Sequence, residues 1–150
     1  MTVTYFAYGS NMAPDVMARL CPHHRYLGPA CLNDHRLAFT RRSVRTGTGV
    51  ADVVPAPGQT VWGALYEIGD DELAAVDKKE GYDWAYTRVT LPVRPADGSQ
   101  RLAVVYTVAA KQTPELLSSP EYLDLIITAA RERGLPEEYV TRLSDIITTR

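Results

Sequence analysis

Strand-forming residues fill positions 3–8, V-T-Y-F-A-Y, and the run stops at Gly9. Alternation of this kind predicts a β-strand. Ser10 and Asn11 suit the N-terminal cap of a helix, and residues 14–20, which open with proline, should form that helix. The start of the chain is therefore predicted to be a strand, a glycine turn and a short helix.

The same pattern recurs along the chain in short runs rich in valine, tyrosine and threonine. The run 60–68 has apolar residues on both faces, which is typical of a central or barrel strand. Prolines, glycines and the pair Asn33-Asp34 separate the runs and predict turns. The further predicted strands are residues 26–32, 36–40, 50–54, 60–68, 86–94 and 101–108.

Three later segments carry helical signals. Residues 70–80 have acidic residues in the first turn and lysines in the last, and Gly81 suits the position just after the helix. Ser119 should cap a second helix, whose first position is proline, and Gly134 should end it. A last helix is predicted to begin at Pro136.

Most of the strands precede the two C-terminal helices, and no linker or repeat interrupts the chain. This order predicts one domain over residues 1–150. It also predicts the α+β class: a small mixed-sheet β-barrel of about six strands, flanked by short helices and a C-terminal helix pair.

Composition narrows the classes of function. An apolar fraction of 45% and a formal charge of −2 are those of a soluble globular protein, with no reason to expect nucleic acid or an anionic membrane as partner. No stretch approaches the ~20 apolar residues of a membrane span, and the N-terminus lacks the pattern of a signal peptide. A cytoplasmic location is therefore predicted.

Two local clusters are candidate binding sites. The basic run Arg36, Arg41, Arg42 and Arg45 is interpreted as a solvated loop face, with an acidic ligand as the alternative. The second cluster has spacing that matches no standard zinc pattern, so no metal site is predicted, and its cysteines should be free thiols. Its members are Cys21, His23, His24, Cys31 and His35.

The glycine turn is itself a candidate site. Gly9 permits backbone angles closed to other residues, so several N–H groups can point into one concavity. Such a turn can bind a phosphate, a carboxylate or a developing oxyanion. An ordinary connection between a strand and a helix is the alternative.

Further segments stand in a fixed order after the turn motif Y-F-A-Y-G-S-N-M. They are V-W-G-A-L-Y from Val61, D-K-K-E-G from Asp77, S-P-E-Y from Ser119 and G-L-P-E-E-Y from Gly134. Together these segments resemble those of the γ-glutamylcyclotransferases, a family with AIG2-like domains. The resemblance implies a small barrel flanked by helices, a cofactor-free enzyme and a possible homodimer.

The resemblance also implies roles for individual residues. Glu80 falls where the family has its general acid/base, and the glycine turn falls where the family binds the γ-glutamyl group of a small-molecule substrate. Two further tyrosines, Tyr86 and Tyr139, should line the site. The implied substrate-binding set is Tyr5, Tyr8, Gly9, Ser10, Asn11, Tyr86 and Tyr139.

The implied reaction is an intramolecular aminolysis that releases 5-oxoproline and a free amine or amino acid. A single carboxylate can serve it if its pKa is raised, and we expect the helix end and the aromatic neighbours Tyr82 and Trp84 to raise the pKa of Glu80. The alternative is a non-catalytic module that binds a γ-glutamyl or carboxylate ligand. The sequence leaves the identity of the leaving amine open.

Overall fold

The computed structural model describes all 150 residues, and its centre is a closed barrel of five strands. The strands are β1 (Thr2–Ala7), β2 (Arg25–Arg42), β3 (Gly49–Gly69), β4 (Tyr86–Pro95) and β5 (Arg101–Val108). Their order around the barrel is β1-β3-β2-β4-β5. Only the closing pair, β1 with β5, is parallel, so the barrel is mixed as predicted.

The strand count differs from the predicted six because the predicted turns at Asn33-Asp34 and Pro55–Gly58 lie inside continuous strands. At Asn33 the register of β2 on β3 shifts, and extra residues of β3 bulge out between Thr60 and Pro55. The N–H of Gly58 donates to the Asp34 carboxylate (3.0 Å) across this bulge. Both sets of turn-forming residues fall at this one register shift, so they produce a bulge and no chain reversal.

Four α-helices surround the barrel: α1 (Pro14–Leu20), α2 (Asp70–Glu80), α3 (Pro120–Glu132) and α4 (Glu137–Ser144). The predicted signals at α2 and α3 are confirmed. Gly81 ends α2 with φ of 66°, and the Ser119 hydroxyl accepts the Tyr122 N–H (3.1 Å). The predicted caps of α1 are wrong, because residues Ser10–Met12 form a separate 3₁₀ turn and Ala13 precedes the helix.

The core is one cluster of 31 buried residues inside the barrel and under α3 and α4. Tyr66, Tyr106 and Phe6 are among its largest fully buried side chains. Gly63 allows β1 to approach, because a Cβ there would lie 2.4 Å from the Ala7 carbonyl oxygen. The longest helix has 13 residues, and none has the length and apolarity that a transmembrane helix requires.

Candidate active site

A cavity of about 190 Å³ lies where β1 leaves the barrel. Its walls come from β1 and the turn that follows it, the start of β3, the end of α2, and single residues of β4, β5 and α3. Seven of the eight predicted site residues line it. The lining residues are Tyr5, Phe6, Ala7, Tyr8, Gly9, Ser10, Asn11, Val50, Ala51, Glu80, Tyr86, Tyr106 and Tyr122.

The turn after β1 lines this cavity and has two backbone N–H groups that it does not use itself. Its first hydrogen bond runs from the Met12 N–H to the Gly9 carbonyl (3.1 Å), so the N–H groups of Ser10 and Asn11 have no partner within the turn. Gly9 has φ of −121° and ψ of −138°, so its unusual angle is ψ and it does not use the left-handed conformation. A Cβ there would contact Ala51 and Tyr122 across the cavity.

Glu80 is the last residue of α2, and its carboxyl group faces the cavity. No group of the protein donates a hydrogen bond to that carboxylate. Burial raises the pKa of Glu80 above its ordinary value, while the neighbouring Lys79 ammonium opposes the rise. The direction expected from the sequence is therefore met, and the carboxylate is available to a ligand.

The aromatic neighbours of Glu80 are not those expected. Trp84 is 70% exposed and Tyr82 is also at the surface, so neither covers the carboxylate. Four other tyrosines line the cavity together with Glu80, and burial, with the Glu80 charge as a smaller cause, raises the pKa of each. These are Tyr5, Tyr8, Tyr86 and Tyr122.

The hydroxyl groups of three of these tyrosines are bound to backbone. Tyr86 donates to the Ala51 carbonyl oxygen (2.7 Å), and Tyr122 accepts the Ala51 N–H (3.1 Å). Tyr8 donates to the carbonyl oxygen of Tyr106 (2.7 Å). Burial raises the pKa of Tyr122 to about 12 and moves the pKa of Tyr8 and Tyr86 upwards as well, so all three stay neutral.

Asn11 joins the turn to α2. Its side-chain Nδ2 donates to the Tyr5 hydroxyl (2.9 Å), and its Oδ1 accepts from the Lys79 ammonium. Asn11 is buried, and the two bonds fix which way its amide faces. Lys79 therefore connects the glycine turn to the helix end that carries Glu80.

Tyr139 is the one predicted site residue outside this cavity. It lies on α4 at a second, more polar cavity, together with Trp62 and Arg142. Its hydroxyl is buried without a hydrogen-bond partner. The structure therefore does not bring Tyr139 to Glu80.

The remaining candidate clusters form no site around Glu80. No group of three or more His, Cys, Asp or Glu residues lies close enough together to hold a metal ion. Cys21 and Cys31 are free thiols, and burial raises the pKa of Cys21 to about 11. Sequence reasoning missed Tyr122, whose helical spacing with other apolar residues indicated core packing and gave no sign of the cavity.

A family model for the AIG2-like family matches residues 60–143, more than half of the chain. The chain belongs to the AIG2-like family. The family predicted from the sequence motifs is thereby confirmed. Glu80, Tyr86 and Tyr122 lie within the matched residues, whereas the glycine turn precedes them.

Among sequenced relatives, the γ-glutamylcyclotransferases of Bos taurus and Homo sapiens are each 29% identical to this AIG2-like chain over 147 residues. Each of these matches covers 95% of the chain and 77% of the relative. A solved structure named γ-glutamyl cyclotransferase superposes with a TM-score of 0.92 at 27% identity, covering 99% of this chain and 90% of its own. The likeness therefore includes the whole barrel and its helices.

Proposed function

We propose that this protein is a γ-glutamylcyclotransferase, which converts a γ-glutamyl amide into 5-oxoproline and a free amine or amino acid. The observation that carries the proposal is the Glu80 carboxylate, which faces the cavity, has a raised pKa and has no hydrogen-bond partner. The named relatives, at 29% identity over most of the chain, support the same reaction class.

The cavity suits the glutamyl half of such a substrate. Pockets for drug-sized ligands are about 300–1,000 Å³, so a cavity of about 190 Å³ suits a group of amino-acid size. The N–H groups of Ser10 and Asn11 can bind the α-carboxylate of that group or the oxyanion that develops from its γ-carbonyl. A folded glutamyl arm places its own amine beside its γ-carbonyl, which removes most of the entropy cost of ring closure.

Glu80 then passes two protons, one after the other, from the attacking nitrogen to the leaving nitrogen. It takes the first proton from the substrate ammonium, and the freed amine attacks the γ-carbonyl carbon to close a five-membered ring. Glu80 gives this proton to the leaving nitrogen as the C–N bond to the leaving group breaks. It then takes the second proton from the ring nitrogen, which leaves the neutral lactam, and passes it to the released amine. A raised pKa suits both steps because it makes the carboxylate a stronger base towards the substrate ammonium and keeps the protonated form populated at higher pH than in an exposed glutamate. No water is consumed.

The test is the release of 5-oxoproline from a panel of γ-glutamyl amino acids and γ-glutamyl amines. We expect wild type to release it, and Glu80→Gln to bind the same ligands with turnover lowered by about 10²–10⁴-fold. Glu121→Gln, on the exposed first turn of α3, is the matched control and should retain full activity. If wild type binds γ-glutamyl ligands but releases no 5-oxoproline from any of them, the protein is the non-catalytic binding module and the proposal fails.

A further inference from the structure

Few apolar contacts hold the last turn of α2, which ends at Glu80, against the barrel. Val76 is the one fully buried apolar residue of this helix, and Leu73 is partly buried. After Val76 the helix continues with D-K-K-E, in which no residue is apolar. Since the stability of a short helix in a protein comes mostly from packing of its apolar face, the last turn depends on polar contacts for its position.

Asp77, three residues before Glu80, makes these polar contacts. Its Oδ1 accepts a hydrogen bond from the Tyr106 hydroxyl of β5 (2.5 Å). The Arg88 guanidinium of β4 donates to both carboxylate oxygens of Asp77 (3.1 and 2.9 Å). Arg88 and Tyr106 pair directly across the two strands, so their side chains project from the same side of the sheet. One carboxylate therefore joins α2 to both β4 and β5.

Arg88 also holds the segment that follows Glu80. Its guanidinium carbon lies 4.4 Å from the centre of the Tyr82 ring, a cation–π distance. The Tyr82 N–H donates to the backbone carbonyl oxygen of Asp77 (2.8 Å), which closes the chain back onto the helix. The residues on both sides of Glu80 are thus fixed to the same arginine.

Tyr106 connects these contacts to the cavity. It lines the cavity together with Glu80 and is 2% exposed. Its carbonyl oxygen accepts the Tyr8 hydroxyl (2.7 Å), and its ring lies edge-on to the Tyr5 ring, with 5.7 Å between ring centres. Tyr106 is therefore held on several sides, and its hydroxyl is a fixed donor for Asp77. We call Asp77, Arg88 and Tyr106 the Asp77 network.

We propose that the Asp77 network positions the carboxylate of Glu80 for proton transfer. Asp77 and Arg88 do not line the cavity, so they act through the last turn of α2 and not on the substrate. A misplacement of about 1 Å can slow a reaction by about 10²-fold. This inference rests on the proposed function, in which the glycine turn binds the glutamyl group. Loss of the network should therefore lower kcat and leave KM nearly unchanged.

The test is steady-state kinetics with the γ-glutamyl amide that wild type converts fastest. Asp77→Ala should lower kcat by about 10- to 100-fold, with KM changed by less than about twofold. Asp77→Asn should lose less, because its amide oxygen can still accept the Tyr106 hydroxyl. The matched control is Glu67→Gln, which breaks an ion pair with Arg25 (3.2 Å) outside the cavity and should keep the wild-type kcat. A wild-type kcat for Asp77→Ala, or a rise in KM as large as the fall in kcat, overturns the proposal.

A double-mutant cycle shows whether the tyrosine acts through Asp77. Tyr106→Phe keeps the ring in the cavity wall and removes only the hydroxyl, so it should lower kcat by about 10-fold in the wild-type background. In the Asp77→Ala background the same change should have an effect of less than about twofold, because the bond is already lost. Losses that multiply would show that the Tyr106 hydroxyl acts independently of Asp77, which overturns the network.

NMR titration of the Glu80 carboxyl carbon separates this inference from the proposed function, because it needs no turnover. Glu80→Gln identifies the signal. In Asp77→Ala the released turn should expose Glu80 to water, and its pKa should fall towards the ordinary value of about 4.3. Asp77→Asn removes the same charge but keeps an acceptor for Tyr106, so the Glu80 pKa should fall less. This order supports the network even if wild type releases no 5-oxoproline, and equal pKa values in the two variants overturn it.

Discussion

Asp52 lies next to Ala51 in the cavity wall, and its replacement should be among the changes that most lower the free energy of unfolding. It follows Ala51, which holds Tyr86 and Tyr122, and it is 0% exposed. Its Oδ1 accepts the N–H groups of Val53 (2.8 Å) and Val108 (3.0 Å). Its Oδ2 accepts the Thr40 hydroxyl (2.8 Å) and the Lys111 ammonium (2.7 Å). The two oxygens thus have separate partners, one set on backbone and one on side chains.

The expected cost follows from what each replacement leaves unpaired. Asp52→Ala leaves two buried backbone N–H groups without a hydrogen-bond partner, and each should lower the free energy of unfolding by about 1–3 kcal/mol. Lys111 is 37% exposed and can turn to water, so losing its ion pair adds no more than about 1 kcal/mol. We therefore expect Asp52→Ala to lower the free energy of unfolding by about 4 kcal/mol. Asp52→Asn keeps one oxygen for both N–H groups and should cost only about 1–2 kcal/mol.

Urea unfolding followed by circular dichroism measures these free energies. The order of loss should be Asp52→Ala, then Asp52→Asn, then the control Asp124→Asn on the exposed face of α3, which should change nothing measurable. Equal losses of unfolding free energy for the alanine and asparagine variants would refute the conclusion that the two carboxylate oxygens have separate roles. A loss below about 1 kcal/mol for alanine would show that the buried N–H groups find other partners.

Two further changes test packing and charge. Gly63→Ala should lower the free energy of unfolding by at least about 3 kcal/mol, because the new Cβ would clash with the Ala7 carbonyl oxygen. The control Gly98→Ala has open space around it and a φ of 80°, so it should cost only about 1–2 kcal/mol. Similar losses for the two variants would contradict the clash. The raised pKa of Glu80 means that the folded state holds its proton longer, so wild-type stability should fall relative to Glu80→Gln as pH rises from about 4.3 through the folded pKa. Parallel unfolding curves for the two proteins over that range would be inconsistent with a raised pKa.

The sequence predicted those features that depend on residues close together in the chain. The helix α2, its end at Gly81 and the cap at Ser119 each need only a few neighbouring residues, and each was found where expected. The order of the motifs identified the family, and this brought Glu80 and the glycine turn into one site although 68 residues separate Lys79 from Asn11. Spacing within the chain could not have joined them.

Features that depend on how distant strands meet were not predictable in the same way. The turn signals at Asn33 and Gly58 predict two separate turns, and only the pairing of β2 with β3 makes them one shared bulge. Tyr122 and Tyr139 both occupy apolar faces of helices, and their sequence context does not tell which of them reaches the cavity. Ala51 has no reactive group at all, and it matters only because its backbone meets two tyrosine hydroxyls.

The arrangement of the tyrosines explains why one carboxylate suffices for the proposed chemistry. The hydroxyls of Tyr8 and Tyr86 donate hydrogen bonds to backbone carbonyls, and the Tyr122 hydroxyl accepts one from a backbone N–H. All three side chains are therefore held in place in the cavity wall. Their raised pKa values keep them neutral, which prevents further negative charge from gathering beside Glu80. The burial that raises the pKa of these tyrosines also disfavours the ionised form of Glu80. Glu80 is consequently the lining residue best suited to exchange a proton with a bound amine, since it is the one carboxylic acid in the cavity.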